Sequence, residues 1–445
     1  MFFKDTNDIL GAILMAQVND KIALILTYYY PPSSAAGAQR LQNLVKVALD
    51  VGWKVEVVTL QETTGNDETK WSCLERNLHV LRIDHYLALQ AACKSNTASE
   101  LNRKNYAKAV FWLLCNRALI KFNRVYISLK LSRAADVIIR KRNPSVIISS
   151  GPPFTLHKIA AGLKKKFDGL FWIADFRDPW VYPGTIQSLD ELPNNSPFKK
   201  TFNSANCLSI VTQGHYDFLD ILDNRSIKPR GHLLLAPNGT KIDLYEKVST
   251  CEIPESRDIN IGYLGDITYT HRSPKSLVLA LEHLVSCGED VALHFWTNIT
   301  PYTRWEGEGL EEIIENATLA DYVHVNPYVS RAEALSFQKS LDLLVLFALN
   351  QPIQIPSKAY EYLVSDKPII AICDEGGETY NLLTQYEGVF LVTENTPDSV
   401  SQGLSAALKY VHHLKKTNGE VLVGRKHLNS LSYYSGFKRL LDEAD

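Results

Sequence analysis

The stretch FWIADFRDPW, Phe171 to Trp180, decides how the chain is read. Its first half is an apolar, β-rich run. Its second half places Asp175, Arg177 and Asp178 directly before Pro179 and Trp180. A strand that ends only to turn uses Gly, Asn or Ser. Three charges and a large aromatic at that point mark a loop with chemistry of its own. In open α/β sheets such loops gather outside the carboxyl ends of the strands, where ligands bind.

The flanking sequence has the alternation such a sheet requires. KIALILTYYY, KVEVVTL, HVLRIDHY and PSVIISSG precede the stretch as strand-like runs, and LSIVTQG and HLLLAPNG follow it. Between them LQNLVKVALDVGW, a region from about Glu100 to Arg142, and HKIAAGLKKKF repeat apolar residues at helical spacing. A second series starts near Ile259 with INIGYLGDI and continues through VALHFWTN, YVHVNPYV, LDLLVLFAL, PIIAIC and GVFLVT. This pattern predicts the α/β class, with two doubly wound parallel sheets wrapped by helices. The polar stretch LYEKVSTCEIPESRD, residues 244–258, marks the boundary. The expected organisation is an extension over 1–20, a first domain over 21–250, a second over 251–428, and a C-terminal amphipathic helix over 429–445 that packs back on the first domain.

Composition narrows the function classes. The 445 residues are 45% hydrophobic and 22% charged, as in soluble globular proteins. A formal charge of −2 provides no global basic field, so nucleic acid is not the expected partner. The seven scattered cysteines never form C-x-x-C, which reads as reduced thiols in a cytoplasmic protein, with no zinc site and no disulfide framework. Asp5 and Asp8 stand where a signal peptide carries cations. Met15 opens MAQVNDKIALIL, a natural start just before the first strand. No window reaches the roughly 18 apolar residues of a membrane span.

Five loops or helix starts carry candidate chemistry. In YYYPPSSAAGAQR, Gly37 permits close backbone approach, and helix-start N–H groups suit an anion or sugar hydroxyls. Arg40 near that helix start opposes the dipole, which asks for a partner charge; the alternative is a surface arginine. In SSGPPFTLHK, His157 is a donor or acceptor for a hydroxyl, or else a structural hydrogen-bonder. In DFRDPW, Arg177 suits forked binding of a carboxylate or phosphate. Asp175 and Asp178 orient a hydroxyl or accept its proton. An internal Asp–Arg clamp is the other reading, and the two are compatible. GYLGDITYTHRSPKS offers Gly262, Gly265, Arg272 and Lys275 in strand–glycine–helix order. IPSKAYEYLVSDKPIIA opens a helix at Pro356 and Ser357 and puts Lys358 and Glu361 on one face, suited to a diphosphate and a ribose, or to a surface salt bridge worth tenths of a kcal/mol. Finally, eleven cations stand against the single Asp136 between Leu101 and Arg142. They are interleaved with Tyr106, Phe111, Trp112, Phe122 and Tyr126. That region reads as a contact for an anionic membrane or lipid-linked diphosphate, or as a solvated helix face.

Taken in order, these segments resemble the GT-B glycosyltransferases of family 4. KIALILTYYYPPSSAAGAQR is similar to that family's opening, and SSGPPFTLHKIA with ADFRDPW resembles one of its branches. APNGTKID is similar to its stretch before the hinge, and IPSKAYEYLVSDKPIIA to its donor-site helix. The resemblance runs from about residue 20 to 440. It implies two Rossmann-like domains facing across a cleft, and transfer of a sugar from a nucleotide-sugar to a saccharide or lipid-linked acceptor. It further implies retention of configuration, no metal, no cofactor, and a role in surface polysaccharide assembly in the cytoplasm or at the inner membrane face. Carried over, Glu361 binds the donor ribose, Lys358 and Arg272 (or Lys275) lie near the diphosphate, and Gly37, Gly265 and Ser357 lie near the donor. Arg40, His157, Asp175, Arg177 and Asp178 fall on the acceptor side. The catalytic candidates are His157, Asp175, Asp178, Arg272 and Lys358. Two places depart from the family pattern: Ile353 stands eight before Glu361 where a glutamate is usual, and AAGA replaces paired glycines. These departures admit a second function, a member that binds nucleotide or a partner without turnover. A sugar-nucleotide epimerase ranks below both, because DFRDPW and PSKAYEYL do not suit it.

Overall fold

The computed structural model describes residues 21–33, 36–61, 77–83, 106–224, 232–239, 248–267, 272–297, 299, 303–417, 419 and 430–445. For residues 36, 106–122, 223–224, 232 and 430–432 it describes the backbone alone. The proposed extension over 1–20, with Met15, lies outside these residues, as do Arg103 and Lys104 of the basic run. The chain divides into two compact units. One is 1–209 with 221–234 and 437–445; the other is 210–220 with 235–436.

The first sheet has seven strands in the order β3-β2-β1-β4-β5-β6-β7. They are β1 (Ile22–Leu26), β2 (Lys54–Leu60), β3 (Leu78–Ile83), β4 (Val146–Gly151), β5 (Phe171–Phe176), β6 (Cys207–Ile210) and β7 (His232–Leu235). Helices α1 (Ala36–Asp50), α2 (Tyr106–Arg142), α3 (Thr155–Lys166), α4 (Pro197–Ser204) and α5 (Gln213–Asn224) alternate with them. β1 is buried at every residue because helices cover both faces of a parallel sheet, which is why it reads as an unbroken apolar run. The chain reverses direction between β1 and β4, so the carboxyl ends of these two strands form the switch point where such sheets hold ligands. Across β4 and β5 the register sets Ser150 opposite Asp175, bringing the charged loop to that point.

The second sheet has six strands in the order β10-β9-β8-β11-β12-β13. They are β8 (Ile259–Leu264), β9 (Val291–Trp296), β10 (Val323–Asn326), β11 (Leu343–Ala348), β12 (Ile369–Cys373) and β13 (Val389–Val392). The helices are α6 (Lys275–Ser286), α7 (Leu310–Asn316), α8 (Arg331–Ser340), α9 (Ser357–Val364), α10 (Glu378–Leu383), α11 (Pro397–Thr417) and α12 (Ser430–Asp442). All strand pairs here are parallel, with the switch point between β8 and β11. Within LDLLVLFAL, Leu343–Ala348 form β11, buried at every position. Among the described residues no helix is long and apolar enough to cross a membrane. The predicted α/β class with two doubly wound sheets is the architecture the chain adopts.

Two packing details shape the units. At the end of α12, Phe437, Leu440 and Leu441 are buried, and residues 437–445 belong to the first unit. Lys21 pairs with Asp445 there. In the second unit α11 lies close over β13 and β12 because it carries Gly403. A Cβ at that position would stand 2.5 Å from Val392 Cγ2 and 3.3 Å from Ile370 Cδ1. Helix propensity favours alanine over glycine by about 1 kcal/mol, but overpacking a rigid sheet costs about 1–3 kcal/mol. Steric conflict therefore wins, and Gly403→Ala is expected to lower the thermal unfolding midpoint; an unchanged or raised midpoint contradicts this packing.

Candidate functional site

The first unit gathers its chemistry at the carboxyl ends of β4 and β5. Asp175, only 1% exposed, is the hub. Its Oδ1 accepts from Arg40 Nη2 at 2.6 Å, Arg40 Nε at 3.1 Å and Ser209 Oγ at 2.7 Å. Its Oδ2 accepts from Ser150 Oγ at 2.6 Å and Arg40 Nε at 3.1 Å. Burial pushes the Asp175 carboxyl upward, but the Arg40 charge and these hydrogen bonds win and hold it below the usual value. Arg40 is 4% exposed, so it is not a surface arginine. Its guanidinium also meets Ser209 Oγ at 3.0 Å and the Phe437 ring at 4.8 Å. The internal Asp–Arg clamp therefore exists, but its cation is Arg40 on α1 rather than the neighbouring Arg177.

Arg177 goes elsewhere. Its guanidinium lies across Gly37, where a Cβ would overlap it, and donates to the Pro152 carbonyl. Gly37 thus does permit close approach, and the group that approaches is Arg177. Asp178 is half-buried and within electrostatic reach of Arg177 and Tyr182. Trp180 stacks on Phe154 at 4.4 Å with the rings 6° from parallel, joining the DFRDPW loop to the PPF segment.

His157 sits beneath that stack, fully buried, 5.0 Å from the Phe176 ring. Trp172 Nε1 donates to Ser149 Oγ at 2.9 Å, and Ser149 Oγ meets His157 Nδ1 at 2.7 Å. The serine hydrogen then has its acceptor in Nδ1, which leaves the ring proton on Nε2. That Nε2 is buried without a hydrogen-bond partner and faces Gly151, where a Cβ would stand 2.8 Å away. Burial drives the His157 pKa down to about 3, so the ring is neutral.

In the second unit the chemistry sits at the end of β8 and the start of α9. Gly265 holds a φ of +144°, and a Cβ there would overlap Lys358 Nζ. Lys358 Nζ lies 5.7 Å from the centre of the Tyr263 ring. Arg272 Nη1 donates to the Asp266 carbonyl at 2.8 Å, and Tyr263 OH donates to the same carbonyl at 2.9 Å. Burial, chiefly, lowers the Lys358 pKa; Glu361 opposes the shift and Arg272 adds to it. Lys358 makes no ion pair with a described residue. Ser357 opens α9, whose N-terminus has no side-chain cap.

Of the two cations the sequence offered beside Lys358, the structure sets Arg272 there and not Lys275. Lys275 Nζ is held by Glu308 at 2.6 Å and Glu306 at 3.2 Å. Glu361 does not pair with Lys358 either; its Oε1 accepts from Arg331 Nη2 at 3.0 Å. Sequence reading missed Arg331, although a cation at the first position of a helix was a usable signal. It missed Tyr263 as well, hidden in an apolar strand, and Tyr328, which is 46% exposed and coupled to Tyr263. Ile353, at the place of the family glutamate, has its carbonyl bonded by Thr212 Oγ1 at 2.6 Å. Among the described residues no three His, Cys, Asp or Glu side chains converge on one metal position.

No protein-family model matches the chain, and no curated protein matches it. Solved structures do. Sucrose-phosphate synthase from Thermosynechococcus elongatus superposes with a TM-score of 0.63 at 13% identity, over 95% of this chain and 98% of that one. The catalytic domain of starch synthase IV from Arabidopsis thaliana, bound to ADP and acarbose, gives 0.61 at 12%, over 95% and 98%. A Listeria monocytogenes protein assigned as a UDP-N-acetylglucosamine 2-epimerase gives 0.53 at 10%, over 95% and 95%. At these identities the likeness is one of fold: the chain has the α/β architecture of the GT-B glycosyltransferases.

Two stability predictions follow from this geometry. Arg40→Ala leaves Asp175 buried and charged without its partner, and is expected to cost about 3–5 kcal/mol in urea unfolding; a loss below about 1 kcal/mol is incompatible with the clamp. The second concerns acid. Because the folded His157 pKa of about 3 lies below the ordinary 6.5, its share of stability is complete above pH 6.5. Below that the unfolded chain takes up a proton that the folded chain does not, and stability falls by up to about 1.4 kcal/mol per pH unit. His215 and His294, each lowered to about 4 by burial, add to the slope. His157→Gln is expected to flatten the pH dependence of unfolding between pH 6 and pH 4, and an unaltered slope would count against a neutral buried ring.

Proposed function

We propose that the protein is a glycosyltransferase of the family 4 kind, in its DFRDPW branch, moving a hexose from a nucleotide-sugar to a saccharide, free or lipid-linked, in surface polysaccharide assembly in the cytoplasm. The observation that carries this is the cationic pocket of the second unit. Lys358 is a half-buried ammonium within electrostatic reach of a second cation, Arg272, with the Gly265 backbone against it and no ion pair to a carboxylate among the described residues. Two like charges held close in a desolvated place are costly unless an anion joins them. A diphosphate supplies that anion, and Glu361 on the same face of α9 suits the hydroxyls of the attached ribose. The start of α9 at Ser357, which has no side-chain cap, adds backbone N–H groups that suit phosphate oxygens.

In the reaction proposed, the sugar–phosphate bond breaks and the nucleotide leaves as its diphosphate. Arg272 and Lys358 stabilise the charge that develops on the leaving oxygen, the task that a metal ion performs in other transferases. The acceptor hydroxyl attacks the face from which the leaving group departs, so configuration is retained and its proton passes to the departing phosphate. No strong protein base is then needed, in keeping with an Asp175 saturated by hydrogen bonds and a neutral His157. On the acceptor side Asp178 orients a sugar hydroxyl, and His157, enclosed beneath the Phe154–Trp180 stack, supports the loop that faces it. Asp175 and Arg40 keep the loop in place, and Arg177 fills the space over Gly37. Arg331 holds one oxygen of Glu361 and leaves the other to the ribose. A second reading, binding without turnover, is favoured by the apolar Ile353, and a measured turnover number decides against it.

Thermal shift with UDP-, GDP- and ADP-sugars identifies the base, since only a ligand of the native state raises the midpoint. With the responding donor, Lys358→Ala is expected to lower kcat by roughly a hundred-fold or more, with the unfolding midpoint no lower than that of the parent. Glu361→Ala is expected to lower transfer strongly with the fold intact. Asp178→Asn is expected to raise the acceptor KM while nucleotide binding stays the same. Full activity in the Lys358 and Glu361 variants overturns the donor-site assignment.

A further inference from the structure

Nine large hydrophobic side chains among the described residues are exposed, and three of them, Val125, Leu129 and Val137, lie on one helix, α2. They are 59%, 51% and 47% exposed. Their spacing is not random. Ile127, Leu131, Ala135 and Ile139 form the buried stripe of α2, which packs on β1, β2 and α3. Positions two residues away from that stripe lie 200° around a helix, on its opposite side. There the chain reads Val125, Leu129, Arg133, Val137, Lys141, three apolar and two basic residues on a diagonal outward ridge that advances about 40° around the helix per step and is about 24 Å long at 1.5 Å per residue. Arg133 and Lys141 are exposed, and neither forms an ion pair with a described residue. The single acid of the region, Asp136, is already held by Arg140 at 3.1 Å and Lys166 at 2.5 Å, so it does not neutralise the ridge.

We propose that this ridge lies on an anionic lipid bilayer. Isolated exposed apolar residues are ordinary, but three on one ridge with two cations that have no ion pair among the described residues are not. Valine and leucine enter the boundary between headgroups and acyl chains, while arginine and lysine extend their stems along that surface and hold their charges among the lipid phosphates. A protein partner would select a continuous apolar centre with charges at the rim. A nucleic acid would make use of the cations and leave three apolar side chains against its backbone. The mixture of apolar and basic side chains along one ridge fits the bilayer surface best. The proposal is independent of donor chemistry, since lipid contact requires no nucleotide, and it gives a glycosyltransferase with a lipid-linked acceptor a reason to sit at the membrane.

The test is co-sedimentation of the full chain with vesicles of phosphatidylcholine containing phosphatidylglycerol, and with pure phosphatidylcholine, at low and high salt. Binding to the anionic vesicles that weakens with salt, and little binding to the neutral ones, is expected. The triple variant Val125→Gln, Leu129→Gln, Val137→Gln removes the apolar members with a good helix former, and is expected to bind at least tenfold more weakly with an unchanged unfolding midpoint. Arg133→Gln with Lys141→Gln is expected to remove the salt dependence. Equal binding of parent and triple variant overturns the proposal. So does the absence of vesicle binding together with a concentration-dependent dimer in sedimentation velocity that the triple variant abolishes, because a second copy then covers the ridge. Donor hydrolysis in solution by the triple variant should equal that of the parent, so loss of lipid binding and loss of catalysis are read separately.

Discussion

The buried ion pair between Arg40 and Asp175 is the constraint on which the first unit's loops depend. Removing two charges from water costs several kcal/mol for each, and attraction alone does not repay it unless every remaining hydrogen-bonding position is used. Here they are used: the carboxylate also takes Ser150 from β4 and Ser209 from β6, and the guanidinium lies over Phe437 of α12. One pair thereby joins a helix, three strands and the end of the chain. With Asp175 fixed, the residues after it have few places to go. Arg177 crosses Gly37, and Trp180 comes to rest on Phe154. The charges that end FWIADFRDPW are thus divided between holding the loop and lining it.

Much of this was legible in the sequence, and the part that was not has a physical cause. Strands buried on both faces appear as apolar runs, so β1, β4, β5, β8 and β11 were recognisable, and their carboxyl ends pointed to the loops that matter. Pairing was harder. Arg40 and Asp175 are 135 residues apart, whereas Arg177 is Asp175's close neighbour in the chain, so local reading favours the wrong guanidinium. Lys275 misleads in the same way, looking available until the fold brings Glu308 to it, and the partner of Glu361 is Arg331, thirty residues away, and not the nearby Lys358. Side chains acting across long loops leave no periodic signal. Even so, both motifs of the first unit, PPF with His157 and DFRDPW, were read as one surface, and the Phe154–Trp180 stack is the contact that makes them one.

A common electrostatic rule connects several of these pairs. A cation near a helix start sits against the positive end of the dipole and is destabilising by tenths of a kcal/mol to about 1 kcal/mol unless something compensates. Arg40 in α1 is compensated by Asp175, Lys199 in α4 by Asp190, Lys275 in α6 by Glu306 and Glu308, and Arg331 in α8 by Glu361. Lys158 in α3 is exposed, where water screens it. Lys358 in α9 has neither solution. It is half-buried, its pKa is pushed down by loss of solvent, and it forms no ion pair with a carboxylate among the described residues. That exception is the observation on which the proposed donor site rests.

His157 presents the complementary exception. Its Nδ1 is satisfied and its Nε2–H is not, in a setting too apolar for the ring to become charged. A buried donor without an acceptor costs about 1–3 kcal/mol, and a half-buried cation without an anion is unfavourable too. A core built for stability alone would remove both with an apolar substitution. Both groups instead stand at the carboxyl ends of parallel strands, where loop backbone leaves room beside glycine: Gly151 for the imidazole and Gly265 for the ammonium. One seeks a neutral oxygen and the other a negative one. In the proposed reading the two differ in reach as well: the half-buried ammonium meets the phosphate, while the enclosed imidazole holds the loop behind the acceptor.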